Sequence, residues 1–526
     1  MVVKHNAASN VEGSPASRDS LLDGPSYLET LRDGRAVYIY GERVADVTTH
    51  PAFRNASRSV ARLYDALHDP KQRDALTAND AFGQRTHKFF KPSYSAQELL
   101  EAREAINIWA RLSYGFMGRT PDYKAAFMAS MAANPEFYAP FDGSARSWYR
   151  KYSSQCMFLN HVLINPPVDR NRPVHEVEDV FVHVVKERDD GIVVSGAKML
   201  ATGSALTHAT FVAQNSAVTL DQDKAKDFAI VFIAPMDSPG AKLICRPSYE
   251  LNAQSPFDHP LSSRFDENDA VIIFDNVFVP WENLLVYREP ERANSFYAES
   301  RFVNRFTLQS GARLTVKLEM MAGLFAKAIA TNGTDTFRGV QAALGEILAW
   351  RHLMMAMTTA MCLDPEPGPG GTVVPKSEYA STIKMFASEC WPAVRRIFEK
   401  QLAGSLLVAP SSFKDLQNEE LRPLIDKYYR GSSGAAEERV KLFKLIWDAI
   451  GTEFGARHEL YEINYSGNHE QVRMDVTNFS RRNNLVEQFT ALADSCMAEY
   501  DLDGWKESTW CFDDSSSDQF GESEGR

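Results

Sequence analysis

The chain has 526 residues, 44% hydrophobic, 24% charged and 11% aromatic, and a formal net charge of −12 from 57 Lys plus Arg against 69 Asp plus Glu. Length and composition exclude a small disulfide-stapled module and a disordered chain, and they predict several domains around a large core. The acidic balance gives no attraction toward nucleic acid or an anionic membrane surface, so neither is expected as a partner.

Residues 1–20 are rich in Ser, Asn, Ala and Gly, and 511–526 are acidic and Ser-rich; both ends are expected to be mobile. Residues 1–20 carry no apolar signal-peptide core, and no later stretch reaches the ~18 apolar residues of a membrane span. A cytoplasmic location is expected. From 21 to 150 the pattern is mainly helical: Ser95 and Glu98 form a capping-box signature, followed by Leu99, Ala102, Ile106 and Trp109 on one helical face. From about Val180 to Tyr287 the period changes to two, with short β-branched runs such as GIVVSGAKML, DFAIVFIAPM and AVIIFDNVFVPW bounded by Gly, Pro or Asp. This predicts a compact antiparallel β domain. From 291 to 510 long apolar-striped segments return at about 306–331, 336–362, 376–402 and 436–454, which predicts a helical bundle interrupted by a Pro/Gly loop at 363–375. Helices, strands, then helices is an α+β order.

Familiar catalytic signatures are missing: no GxGxxG after a strand, no GxxxxGK[ST], no HExxH, no GxSxG. The six cysteines lie at least 15 residues apart without a CxxC pair, so no metal site is expected. Four polar positions stand out instead. Arg119 and Tyr123 flank Pro121 in GRTPDY, His161 sits in an apolar run, Thr202 lies among small residues in MLATGSALTH, and YSGNHE (465–470) reads as a polar loop. By spacing alone these read more simply as a capping pair, a core histidine, a turn residue and a helix terminator with Gly467 in the left-handed region.

Five blocks in order change that reading: GRTPDY (118–123), NHVLINPPVDR (160–170), VSGAKMLATGSALTH (194–208), SPFDHPLSSRFDENDAVIIFDNVFVPWEN (255–283) and FGARHELYEINYSGNHE (454–470). They resemble the flavin-dependent oxygenase components of two-component aromatic hydroxylases. That family includes 4-hydroxyphenylacetate 3-monooxygenase, chlorophenol monooxygenases and hydroxylases of tyrosine-derived units in enediyne biosynthesis. The resemblance runs from about Tyr27 to about Trp505.

The resemblance implies an acyl-CoA dehydrogenase-like fold: an N-terminal helical domain (21–150), a central antiparallel β-barrel (151–290) and a C-terminal four-helix bundle (291–510), assembled as a homotetramer. It implies FAD used as diffusible FADH2 from a separate NADH-dependent flavin reductase that binds transiently. O2 then gives a flavin C4a-hydroperoxide that hydroxylates a phenol ortho to its OH. By motif matching, Arg119, Tyr123 and His161 are the implied catalytic and substrate-contacting residues, with Gln214, Asn215 and Gln309 completing the substrate pocket. His161, Val162, Leu163, Pro167, Val168, Asp169, Arg170, Thr202, Asn468, His469, Glu470 and Gln471 are the implied flavin contacts, with Arg170 suited to the pyrophosphate and Thr202 to flavin N5. Gln309 stands where the dechlorinating branch carries a His, so para-attack with loss of halide or nitrite ranks behind plain hydroxylation. A carrier-protein-tethered tyrosine-derived unit is the other alternative substrate, and a non-catalytic flavin-binding protein is the rival of another class.

Overall fold

The computed structural model describes residues 21–507 apart from Arg170, Ser216, Ala217 and Ser433. The expectation of mobile ends at 1–20 and 511–526 falls outside the described residues. The chain divides into two compact units, one up to Ser466 and one from Gly467.

The first unit is α+β. Its first strands, β1 (Ala36–Ile39) and β2 (Glu42–Val44), form a hairpin through Tyr40 and Gly41, both at positive φ. Helix α1 (Arg54–Ala66) follows. Helix α2 (Ala96–Leu112) starts where Ser95 accepts a hydrogen bond from the Glu98 amide, and it buries Leu99, Ala102, Ile106 and Trp109 as the periodicity predicts. The Glu98 carboxylate turns to the Tyr94 amide and Lys91 rather than back to Ser95, so only half of the capping box forms. Helix α3 (Pro121–Ala133) begins with proline at its first position, where a missing N–H costs nothing. It is buried on every side from Pro121 to Met131, which places Asp122, Tyr123 and Lys124 inside the core. Helix α4 (Asp142–Gln155) leads to β3 (Leu159–Val162).

The strands that follow are β4 (His183–Arg188), β5 (Gly191–Lys198), β6 (Ala209–Val212), β7 (Ile230–Pro235), β8 (Ala241–Cys245), β9 (Ala270–Pro280) and β10 (Leu284–Tyr287). They build two sheets, ordered β2-β1-β8-β9-β5-β4 and β10-β7-β6-β3. This corrects the barrel and its antiparallel character. The two sheets do not close on one another by strand pairing among the described residues, β1 pairs parallel with β8, and β3 pairs parallel with β6. Two features account for this: the hairpin at 36–44, read as part of a helical region, extends the larger sheet at one edge, and the chain leaves β3 for β4 and β5 of the larger sheet before it returns as β6 beside β3.

Helices α5 (Phe302–Asn332), α6 (Arg338–Leu363), α7 (Ser377–Leu402), α8 (Ala436–Ile450) and α9 (Glu453–Asn464) complete the unit, and α5, α6 and α7 pack on one another with α9 against α7. Helix α5 also packs on α2 and α3, so the first helical segment and the last share one core. Along α5, Gln309, Arg313 and Lys317 recur every four residues and are all buried, a polar seam along one line of the helix. No described helix is long and apolar enough to cross a membrane.

The second unit holds α10 (His469–Arg482), α11 (Leu485–Met497) and a small hairpin of Tyr500–Asp501 with Gly504–Trp505. Gly467 takes a positive φ, and Asn468 caps α10 by accepting from the Glu470 and Gln471 amides. The YSGNHE loop is thus also the start of a helix.

Candidate active site

The turn before α3 is fixed by a carboxylate from elsewhere in the chain. Glu267, 4% exposed, accepts from the backbone amides of Gly118 at 2.9 Å and Arg119 at 2.6 Å, and Arg457 of α9 lies 3.5 Å from the same carboxylate. Gly118 must be glycine here, because a Cβ would sit 2.4 Å from the Tyr461 hydroxyl.

Held this way, the Arg119 guanidinium carbon lies 4.0 Å from the centre of the Tyr123 ring and 5.3 Å from that of Tyr461. Burial works against its charge, but Tyr123, Tyr461 and Glu267 outweigh that cost and hold its pKa above the ordinary arginine value. Tyr123 is buried, and burial raises its phenol pKa although Arg119 opposes the shift. Its ring centre is 5.7 Å from that of His161, on β3. Phe127 and Phe302, stacked 3.8 Å apart, each present a ring edge-on to His161 at 5.6 Å. Sequence reasoning missed the next residue along: Lys124 Nζ lies 2.6 Å from His161 Nδ1 and 4.2 Å from the Tyr123 ring centre. Burial, Lys124 and Arg119 together push His161 well below the ordinary histidine value, and burial with Arg119 pushes Lys124 well below the ordinary lysine value.

Gln309, 1% exposed, reaches the same turn from α5: its amide donates to Thr120 Oγ1 at 3.4 Å and to Asp122 Oδ1 at 3.3 Å. Burial raises the Asp122 carboxyl to about 6. The Arg119 Nη1, Gln309 Oε1 and Tyr461 hydroxyl are buried without a hydrogen-bond partner among the described residues, and unpaired buried polar atoms of this kind call for a ligand or water.

Thr202 belongs to a second network that meets the first at Glu267. Its hydroxyl donates to Asp269 Oδ1 at 2.6 Å, and Asp269 also accepts from Arg457 at 2.9 and 3.0 Å and from Arg246 at 3.0 Å. Burial opposes the Asp269 charge, yet the two guanidiniums hold it far below the usual carboxylate range. Gln214, expected in the substrate pocket, accepts at 3.0 Å from Lys198 and donates to the Phe228 carbonyl at 3.1 Å. Lys198 also donates to Asn165 Oδ1 at 2.7 Å and to the Leu163 carbonyl at 3.4 Å. The Lys198 ammonium has no carboxylate beside it, and burial lowers its pKa to about 7. It fastens Leu163 and Gln214 together, and it too was missed.

Of the remaining expected residues, Val162 is buried on β3, while Pro167, Val168 and Asp169 form an exposed turn with Asp169 at positive φ. Arg170 lies outside the described residues. Asn215 is half-buried beside Gln214. Asn468, His469, Glu470 and Gln471 form the first turn of α10 in the second unit. The structure therefore brings Arg119, Tyr123, His161 and Gln309 together and ties Thr202 and Gln214 to fixed frameworks. Three further residues, Arg457, Tyr461 and Glu462, stand in the FGARHELYE block that the resemblance quotes, and none was singled out. Glu462 accepts from Arg313 at 2.8 Å and from Lys317 at 2.9 Å, so a buried ion cluster stands behind Tyr461.

Comparison with known proteins follows the same blocks. Residues 23–286 match the family described as 4-hydroxyphenylacetate 3-hydroxylase N terminal, and 293–494 match its C-terminal counterpart. The pyoverdin chromophore biosynthetic protein PvcC of Pseudomonas aeruginosa is 54% identical over 94% of this chain and 99% of its own. A Streptomyces globisporus monooxygenase, named for a 3-amino-3-(3-chloro-4-hydroxyphenyl)propanoyl unit on a peptidyl-carrier protein, is 48% identical over 94% of each chain. The oxygenase component HpaB of 4-hydroxyphenylacetate 3-monooxygenase, solved with FAD and 4-hydroxyphenylacetate, superposes with a TM-score of 0.85 at 33% identity, covering 91% of this chain and 99% of that one. With both halves of the chain matched and this degree of identity along its length, the protein belongs to the 4-hydroxyphenylacetate 3-hydroxylase family.

Proposed function

We propose that this protein is the oxygenase component of a two-component aromatic hydroxylase, which takes reduced FAD from a separate flavin reductase and uses O2 to hydroxylate a phenol ortho to its OH. The observation that carries this reading is the buried cluster of Arg119, Tyr123, Lys124 and His161 with its unpartnered polar atoms. A phenolate ring is the better nucleophile toward electrophilic oxygen, and a guanidinium beside an imidazole stabilises that phenolate. Arg119 has a free Nη1 for the phenol oxygen, and Tyr461 and Gln309 have free acceptor or donor capacity at the same place. The aromatic wall of Phe127, Phe302 and Phe306 excludes water from the ring to be attacked.

The residues present fit a flavin. When bound in reduced form, the flavin supplies the electrons that activate dioxygen. Thr202 spends its hydroxyl proton on Asp269 and keeps lone pairs, which suits it to accept from the N5–H of a reduced flavin and not to donate to the bare N5 of an oxidised one. Val162, Leu163, Pro167, Val168 and Asp169 would hold the flavin on the side of the first unit. The helix–sheet–helix order supports an acyl-CoA dehydrogenase-like arrangement with 21–150, 151–290 and 291–510 as its three segments. A homotetramer would cover the large apolar side chains left in the open, among them Leu407, Tyr428, Phe489 and Leu492. The Streptomyces relative favours a carrier-bound phenol as the second reading of the substrate.

The test is product analysis with FAD, a flavin reductase and NADH over a panel of free and carrier-bound phenols. Formation of a catechol from at least one phenol is expected. Hydrogen peroxide alone from every phenol that the protein binds would contradict the reading.

A further inference from the structure

His161 has two ring nitrogens, and the structure commits them differently. Nδ1 is taken by Lys124 at 2.6 Å, while Nε2 has no hydrogen-bond partner among the described residues. Lys124, 4% exposed, makes no ion pair among the described residues, and its Nζ lies beside the imidazole and over the face of the Tyr123 ring. A lysine buried without a carboxylate is costly as an ammonium and easy to hold as an amine. An amine at this position is an acceptor, so the bond to Nδ1 can run from imidazole to lysine as readily as from lysine to imidazole.

We propose that Lys124 is the proton acceptor behind His161: a substrate phenol gives its O–H proton to His161 Nε2 while His161 Nδ1–H passes its proton to the Lys124 amine. The inference rests on the phenol-hydroxylase reading and deepens it. The step balances. One phenol O–H and one Nδ1–H bond break, one Nε2–H and one Nζ–H bond form, and the products are a phenolate, a neutral imidazole and an ammonium. The imidazole then donates Nε2–H to the phenolate oxygen, the ammonium donates to Nδ1, and the new positive charge joins that of Arg119 in holding the phenolate. No proton leaves the protein.

The charged and titratable groups that act on this pair are Arg119, on its own segment, and Glu267, before β9, with the Tyr123 ring against both side chains. Burial and Arg119 lower Lys124, against a smaller opposing effect of Glu267, which is the direction an acceptor needs. The Asp122 carboxylate is turned to Thr120 and Gln309, so it does not pair with Lys124. Lys124 acts through His161 and not on the substrate, which makes it a positioning residue. A purely structural lysine would move neither the ionisation of the bound phenol nor the count of released protons.

Both are measurable with 4-nitrophenol, whose phenolate is coloured, added to the native protein at a pH below the ionisation of the free phenol, with a pH indicator reporting released protons. The expected result is bound phenolate with the proton retained. One proton released per phenolate formed would overturn the proposal, because Lys124 would then already be charged; so would a bound neutral phenol. In Lys124→Met the phenolate fraction of bound ligand should fall ~10-fold or more, the effect of one pKa unit. In Lys124→Arg, where the side chain is permanently charged, any phenolate should form with release of its proton. A folded Lys124→Met with unchanged colour refutes the role, and if that variant does not fold the native proton count decides. Failure of the native protein to bind any phenol would overturn the phenol-hydroxylase reading itself, an outcome distinct from binding without proton retention.

Discussion

Replacing Glu267 by glutamine removes one charge and leaves the side chain's shape unchanged, which isolates what the carboxylate does. Its two oxygens accept from two consecutive amides, Gly118 at 2.9 Å and Arg119 at 2.6 Å. A glutamine can accept from one amide but must turn an NH2 toward the other. The loss is one charge-assisted hydrogen bond, about 2 kcal/mol, plus a buried amide without an acceptor, about 1 to 3 kcal/mol. Arg457 keeps its contacts with Asp269, so that pair survives and the sum stays at about 3 to 5 kcal/mol. Function should suffer by a separate route. The carboxylate fixes the backbone from which Arg119 reaches the Tyr123 ring, and a displacement of about 1 Å there costs on the order of a hundredfold in the chemical step. Two assays read the two effects: denaturant unfolding for stability, and product formed per FADH2 oxidised for placement of Arg119. Glu267→Gln should lower both, and Glu267→Asp should retain more of each because it keeps the charge. A glutamine variant that loses stability but couples as well as the parent would show that Arg119 is not placed by Glu267, and the reasoning would fail.

Thr202→Val should narrow the preference for reduced over oxidised FAD by about tenfold or less, the worth of one hydrogen bond, read from the two dissociation constants; an unchanged ratio would separate Thr202 from N5. Glu462 gives a pH signature. Burial opposes its charge, but Arg313 and Lys317 hold its carboxyl at about 2 against an ordinary 4.5, so its contribution to stability is full above about 4.5 and is lost as pH falls through about 2. Glu462→Gln should cost about 3 to 5 kcal/mol at neutral pH by stranding Arg313 and should flatten the stability profile in that acid window, as measured by denaturant midpoints.

Much of the fold was legible because its signals are local. The stripe of Leu99, Ala102, Ile106 and Trp109 announces its helix, and the alternating runs from Gly191 to Pro280 announce their strands. The hairpin at 36–44 was not read, because strands of four and three residues are too short for a period to declare itself and the pairing partner, β8, lies some two hundred residues on. Barrel closure is likewise a property of strand order, which periodicity does not encode. At the site, Arg119, Tyr123 and His161 were recoverable from motif blocks, and the structure sets the Tyr123 ring beside both the Arg119 guanidinium and the His161 imidazole. Lys124 carried a signal that went unused: one lysine set directly before the apolar run AAFMASMAA is a charge in a core helix, and such a charge needs a partner. Glu267 and Asp269 were invisible for a different reason. The acidic residues in DENDA look solvated until the fold sets two backbone amides against Glu267 and two arginines against Asp269.

The central claim is that Arg119, Tyr123 and His161 form one constellation that directs oxygen onto a phenol. The measurement that tests it most directly is product formed per FADH2 oxidised in folded His161→Ala, beside the native protein. Loss of a positioned acid–base group costs about a hundredfold to ten-thousandfold in the chemical step, so product should collapse while FADH2 and O2 are still consumed and hydrogen peroxide appears. A His161→Ala protein that couples as tightly as the native one would contradict the account.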